Sequence, residues 1–290
     1  GPLATIRKMK YSILIAFFLI FSSCKQNTKE SSVSTNIEPK KEIVNDQKQV
    51  EEEKTQKKPK IERWFEPTEL DTTLNFKNSH SVTLKNTDSI FISEYYLEKE
   101  IIDSLTQIHN NSHRKALEIE NYLLKNNNKF VKKDSLGLHL KMINDSWKLI
   151  SVNQNTDEAD NTFEYYFQEF GFYSVRTQWS EGNGYKLIND KDGKVTDLYG
   201  RPYFSKNGEY VISVNVDIEA GYSRNGFQLF QNINGKLKNI GNYEPNGWGP
   251  YSAKWIDNLK VILKNETVEF KDREMNYIDF YSELKINNGG

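Results

Sequence analysis

The chain has 290 residues, 39 Lys and Arg against 40 Asp and Glu, 37% hydrophobic residues, 13% aromatic residues and one cysteine. That near-neutral balance argues against a nucleic-acid binder, which carries a basic excess or stripe. A single cysteine excludes an internal disulfide framework and any multi-cysteine zinc site.

Gly1 to Lys8, ahead of Met9, read as an added scar or a misplaced start and are set aside. From Met9 come a basic Lys10, an unbroken apolar run from Ile13 to Phe21, and then Ser22-Ser23-Cys24. Residues 9–23 therefore read as a signal peptide; a span of the hydrocarbon core takes about 20 apolar residues. Phe21-Ser22-Ser23-Cys24 resembles the lipobox of bacterial lipoproteins, with Phe21 in place of the usual Leu. The resemblance implies that Cys24 is acylated (a palmitate-type modification) and becomes the first mature residue, with the lipid bilayer as its partner. Each buried methylene of an acyl chain contributes about 0.8 kcal/mol, so several chains anchor stably.

Residues 24–62 follow as a tether. Positions 25 to 62 hold nine Lys, eight Asp and Glu, no aromatic residue and six aliphatics, too few to offset the entropy of ordering. Lys25 and Lys29 precede the first acidic residue, Glu30, so the lipoprotein resemblance implies an outer-membrane position facing the periplasm in preference to surface exposure.

Glycine divides the remainder. Twelve of the sixteen glycines lie from Gly171 to Gly249, and none lies between Gly1 and Gly137. Residues 63–135 read as a helical or mixed segment. Ile101, Leu105 and Ile108 follow one helical face and Ala116, Ile119 and Leu123 another, with Asn110-Asn111-Ser112 between them as the end of the first helix and the cap of the second. The pattern predicts helices over 97–109 and 112–126, the second stopped by Asn126-Asn127-Asn128. Ser81 to Phe91 is ambiguous, with a strand pair as its reading.

Residues 136–290 read as an antiparallel β domain. Leu136, Leu138, Leu140 and Met142 alternate with polar or small residues, and Asn144-Asp145-Ser146 turns the chain into Trp147 to Val152. Asn-Gly pairs begin at Asn183, Asn207, Asn225, Asn234 and Asn246, and Asn-Gly suits the type I′ hairpin turn. Tyr185–Ile188, Tyr210–Val216, Phe227–Gln231 and Leu259–Leu263 have strand composition. Ile150-Ser151-Val152-Asn153 recurs as Ile212-Ser213-Val214-Asn215, which suggests similar hairpins. The fold class expected is mainly β (α+β overall), an antiparallel meander preceded by one or two helices.

Pro202-Tyr203-Phe204-Ser205-Lys206-Asn207-Gly208-Glu209-Tyr210-Val211 resembles the blade motif of WD-like β-propellers, including the periplasmic Tol-associated kind, with Asn207 at the usual Asp. The likeness covers one blade well and a second, around Trp255, poorly. It implies propeller-like blades of about 40 to 45 residues, either closed into a ring or left as an open, twisted meander.

Chemistry is sparse. His109 and His113 have the spacing of a metal pair on a continuous helix, or are solvated helix-end histidines; no third ligand follows, and no metal or cofactor is expected. Asp190-Lys191-Asp192-Gly193 begins like a calcium loop but lacks the later ligands, and otherwise reads as a hairpin tip. Asp157-Glu158-Ala159-Asp160 reads as a solvated loop or a weak cation site. Asp217 and Glu219 are acid-base candidates on one strand face. Aromatic residues among Gly and Asn are the more suggestive feature: Trp179, Tyr222, Trp248 and Tyr251 are candidate partner-binding residues, with inter-strand packing as the plain alternative. Trp248, between two glycines, is expected at the surface. The resulting expectation is a lipid-anchored envelope protein that binds a protein or glycan partner, an inhibitor or immunity protein among the forms this could take. The alternative is an envelope glycan hydrolase or lyase.

Overall fold

The computed structural model describes residues 61–288. Their strands are antiparallel, and they fall into four sheets that pack one on the next. In chain order the first elements are β1 (Ile61–Arg63), β2 (Asp71–Asn75), β3 (His80–Thr87), α1 (Lys99–Thr106) and α2 (Ser112–Asn126). A three-stranded meander follows: β4 (Val131–Asp134), β5 (Gly137–Lys141) and β6 (Trp147–Ile150). Next come two four-stranded meanders. The first is β7 (Glu158–Phe167), β8 (Phe172–Trp179), β9 (Asn183–Asn189) and β10 (Val195–Leu198); the second is β11 (Arg201–Phe204), β12 (Tyr210–Asn215), β13 (Gly226–Ile233) and β14 (Lys236–Tyr243). The last strands are β15 (Trp248–Trp255), β16 (Lys260–Lys271) and β17 (Glu274–Asn288).

The fold is thus mainly β, with the two helices where the apolar spacing puts them. Asn111 caps α2 by accepting the Arg114 N–H at 3.0 Å, and Asn127 ends it. Ala116, Ile119 and Leu123 are buried, as expected, the last two in one cluster with Phe163, Tyr173 and Val175. The face of α1 differs from the one predicted: Ile102 and Thr106 are buried, whereas Ile108 is exposed because the helix stops at Thr106. Glu120 lies on the buried face of α2. Its carboxylate accepts the Phe163 N–H at 2.7 Å and the Lys133 ammonium at 2.8 Å, beside the place where the β7–β8 register shifts. Burial raises the pKa of Glu120, and these donors oppose the rise.

The change in composition at residue 135 does not separate two packed units. Ser81–Phe91 holds a single strand, β3, and β3 pairs along β17 from Thr87↔Tyr281 to His80↔Asn288. Strands from both ends of the described chain therefore share one sheet, ordered β15-β16-β17-β3-β2, with β1 continuing along β16 beyond β15. The core follows this order. Leu138, Leu140, Phe163 and Val175 lie with the helices; Phe172, Leu187, Val211 and Phe230 lie between the two four-stranded meanders; Ile212, Phe227, Val261 and Leu284 lie between the second meander and the terminal sheet. Each fully buried apolar side chain of this size contributes about 1.5–3 kcal/mol.

The hairpins are less regular than the Asn-Gly pairs predict. Asn234-Gly235 joins β13 to β14 with both φ angles positive, the type I′ form. Asn183-Gly184 instead lies inside β9, and the β8–β9 turn is the preceding Ser180-Glu181-Gly182. Asn207, Asn225 and Asn246 do not take positive φ. Two hairpin tips with paired positive φ use no glycine at all: Asn78-Ser79 and Asp272-Arg273. The repeated Ile-Ser-Val-Asn segments also diverge. Of the first only Ile150 lies in a strand, the edge strand β6, and Ser151-Val152-Asn153 leave it, whereas all of the second lies in the interior strand β12.

Candidate functional site

A cleft of about 810 Å³ opens where the two four-stranded meanders meet. Its walls are the β8–β9 turn, the end of β10, the β12–β13 loop (residues 216–225) and Glu244 after β14. Pockets of this size are in the range that holds small ligands or side chains of a partner.

The β12–β13 loop is built around Asp217. Its carboxylate accepts the Gly221 N–H at 2.8 Å, the Ser223 N–H at 2.6 Å and the Ser223 hydroxyl at 3.1 Å. Burial alone would raise the pKa of Asp217, but these donors outweigh it and hold the group below its ordinary value. Asn225 fixes the other end of the loop, accepting the Asp217 N–H and donating to the carbonyls of Pro245 and Trp248 at 3.0 and 2.8 Å. Gly249 leaves room for this, because a Cβ there would lie 2.1 Å from Asn225 Oδ1.

Trp179 ends β8, and its indole lies against Gly184, where a Cβ would be 2.5 Å from the ring. This close approach is the role of the Asn183-Gly184 pair. Tyr222 is 61% exposed at the loop tip. Elsewhere in the lining Glu244 accepts the Tyr199 hydroxyl at 2.8 Å and pairs with Arg224 at 3.2 Å. Burial, then the bond to Glu244, raises the pKa of Tyr199. Asp157 has only the Ser180 hydroxyl, at 3.4 Å, and Glu181 has no hydrogen-bond or ion-pair partner among the described residues.

The cleft therefore brings together Trp179, Tyr222, Asp217 and Asp157 from the sequence expectations. It does not include Trp248 or Tyr251. Trp248 is 1% exposed, and its ring packs on Phe65, Phe280 and Tyr243 with centroids 5.6, 5.5 and 6.2 Å away. The expectation of a surface tryptophan fails because Gly249 lies in strand β15 and Gly247 in the bend just before it, and both are crowded by other chain, Gly249 by Asn225 and Gly247 by Trp64, so neither belongs to a projecting loop. Tyr251 lies on the outer face of the terminal sheet, donating to Asp279 at 3.1 Å beneath the Lys264 ammonium, which is 4.7 Å from its ring.

The acid-base pair also separates. Glu219 accepts the Tyr277 hydroxyl on the terminal sheet, away from the Asp217 side of the loop. That bond is the main reason the pKa of Tyr277 is raised. His109 lies past the end of α1, 3.5 Å from Glu118, while His113 is 3.9 Å from Asp160, so the two are not on one helix. Burial lowers the pKa of His113. At the tip containing Asp190, the Asp190 carboxylate accepts the Tyr166 hydroxyl and Asp192 accepts the Lys194 N–H, the hairpin form. Among the described residues no group of three or more His, Cys, Asp or Glu converges to hold a metal ion.

Sequence reading missed Glu181, Tyr199, Arg224 and Glu244. Only the β13–β14 hairpin brings Arg224 beside Glu244, and no local motif marks either residue. No protein-family model matches the chain, and comparison with curated proteins finds no similar sequence.

Proposed function

We propose that the chain is a lipid-anchored envelope protein whose β unit holds a partner in this cleft without chemical turnover. The observation that carries the binding reading is the division of labour in the cleft. Trp179 and Tyr222 offer aromatic surface, while Asp217, the acid-base candidate, is committed to three loop donors and Glu219 is turned to Tyr277. A general acid needs a carboxyl that stays protonated near the working pH, and the donors around Asp217 favour its ionised form. The anchor rests on Phe21-Ser22-Ser23-Cys24, which lies outside the described residues. Among the described residues no helix is long and apolar enough to cross a membrane. The two sequential four-stranded meanders and the sheet shared by both ends support a blade-like, propeller-related reading of the β unit.

Affinity capture from membranes with the full chain tests the binding reading. Trp179→Ala with Tyr222→Ala is expected to lose the captured partner, and capture unchanged by that pair refutes the cleft as its site. Cys24→Ala is expected to move the protein out of the membrane fraction and to end labelling by a fatty-acid analogue; persistent labelling refutes the anchor.

A further inference from the structure

We infer that the cleft receives a cationic side chain, an ammonium or guanidinium presented by a protein partner. This rests on the binding reading above and names its ligand class. Two unlike features call for the same sign of charge.

The first is unbalanced carboxylate. The cleft is lined by Asp157, Glu181, Asp217 and Glu244 against one cation, Arg224. Glu244 is answered by Arg224 and Tyr199, and Asp217 by the loop. Asp157 and Glu181 stay unneutralised on the wall formed by the β8–β9 turn and the chain facing it. A cleft lined by one sign of charge, with low-dielectric walls, concentrates its potential on whatever enters.

The second feature is aromatic. Trp179 and Tyr222 line the same cleft, and Trp and Tyr faces attract ammonium and guanidinium groups through the ring quadrupole. Gly184 backs the Trp179 indole, so the ring is held in place before the ligand arrives. Pre-set anchors lower the ordering loss on binding. A neutral sugar would use the aromatic faces but leave Asp157 and Glu181 uncompensated, and an anionic ligand would be repelled. Arg224 does not fill the role itself, because it is paired with Glu244.

The test titrates the full-length protein with a tetra-arginine peptide, a tetra-glutamate peptide and maltotetraose, following Trp fluorescence and heat. Tetra-arginine is expected to bind, the other two not. Trp179→Ala and Glu181→Gln should each weaken tetra-arginine at least tenfold, and the Asp157→Asn, Glu181→Gln double variant should weaken it further, with Asp88→Asn, exposed and outside the cleft lining, as the unchanged control for general attraction of polycations. Raising the salt should weaken binding in the native protein more than in the double variant. Glu181 and Asp157 are exposed, so these variants keep the fold, which the thermal midpoint verifies. Equal weakening by Asp88→Asn, or tetra-arginine binding unmoved by Trp179→Ala, overturns the cationic assignment. Maltotetraose bound in a Trp179-dependent way with no tetra-arginine binding also overturns it while leaving the binding reading intact. Loss of the binding reading itself is seen separately, as membrane capture indifferent to Trp179 and Tyr222.

Discussion

Two short segments, 217–226 and 246–251, look alike as sequence: each mixes Gly, Asn and an aromatic residue between strands. The structure treats them oppositely. In the first, Gly221 has φ +66 and no atom near its missing side chain, and Tyr222 stands in solvent. In the second, Gly249 is crowded by Asn225, and Trp248 is in the core. Glycine thus has two uses: it frees a backbone to turn, and it lets other chain come close. Positive φ alone does not mark a surface loop, since Gly247 has φ +75 and is crowded by Trp64; the open space around Gly221 does. The two segments also touch, since Asn225 donates to the Trp248 carbonyl, so the exposed loop is fastened to the buried strand.

The widest separation between them should appear on truncating the aromatic residue. Trp248→Ala empties a fully packed site and should destabilise by about 3–5 kcal/mol. Tyr222→Ala should change stability by within about 0.5 kcal/mol while removing partner capture. Denaturant midpoints for the two variants decide the matter: similar losses would mean that the loop aromatic is also structural.

Adding a single methyl group gives a smaller contrast. Gly249→Ala would drive a Cβ onto Asn225 Oδ1, and overpacking of this kind costs about 1–3 kcal/mol. Its damage should spread to the loop, so faster amide exchange over residues 216–225 is expected together with the lower midpoint. A variant that loses stability while loop exchange stays native would break the proposed link through Asn225.

The fold was legible wherever the signal was local. Ala116, Ile119 and Leu123 at helical spacing, the Asn111 cap, and the alternation of Leu138, Leu140 and Met142 each imply burial or capping that needs no distant partner, and each is found. Leu136 fits the alternation yet is exposed, because the β4–β5 turn precedes β5. What depends on distant chain was not legible. The pairing of β3 with β17 joins residues about 200 positions apart, and a period-2 pattern does not name its partner strand. Half of the candidate site follows the same rule. Trp179 and Tyr222 stand out by type, but Glu181 and Glu244 are ordinary surface acids until the sheets place them around the cleft.

Asp217 tests whether the loop is ordered by its carboxylate. Removing the acceptor in Asp217→Ala leaves the Gly221 and Ser223 N–H groups without it, a loss of about 1–2 kcal/mol. Acid should do the same reversibly. The folded pKa of Asp217 is depressed, so its contribution is complete above the unfolded value of about 3.9. It is lost as pH falls through the lower folded value. The protection factors of the Gly221 and Ser223 amides, taken relative to the intrinsic exchange rate at each pH, should therefore fall on acidification below that value in the native protein and be insensitive to it in Asp217→Ala. Equal acid sensitivity in both proteins would assign the order of the loop to Asn225 alone.

The smallest effect expected is at the far side of the loop, where Glu219 accepts the Tyr277 hydroxyl from the terminal sheet. Both groups are exposed, so Tyr277→Phe should alter global stability by less than about 0.5 kcal/mol. Its value lies in what it isolates. The Asp217 donors hold the loop to itself, whereas the Tyr277 bond ties it to the sheet that carries Trp248. If that tie positions Tyr222 over the cleft, Tyr277→Phe should weaken partner capture severalfold with the midpoint unchanged. If Asp217 and Asn225 suffice, capture stays native, and the exposed segment owes its shape to its own side chains and one anchor on the buried strand. Weakened capture in Tyr277→Phe, restored by no change at Asp217, would give the loop two independent holds and place the cleft's outer wall under the control of the terminal sheet.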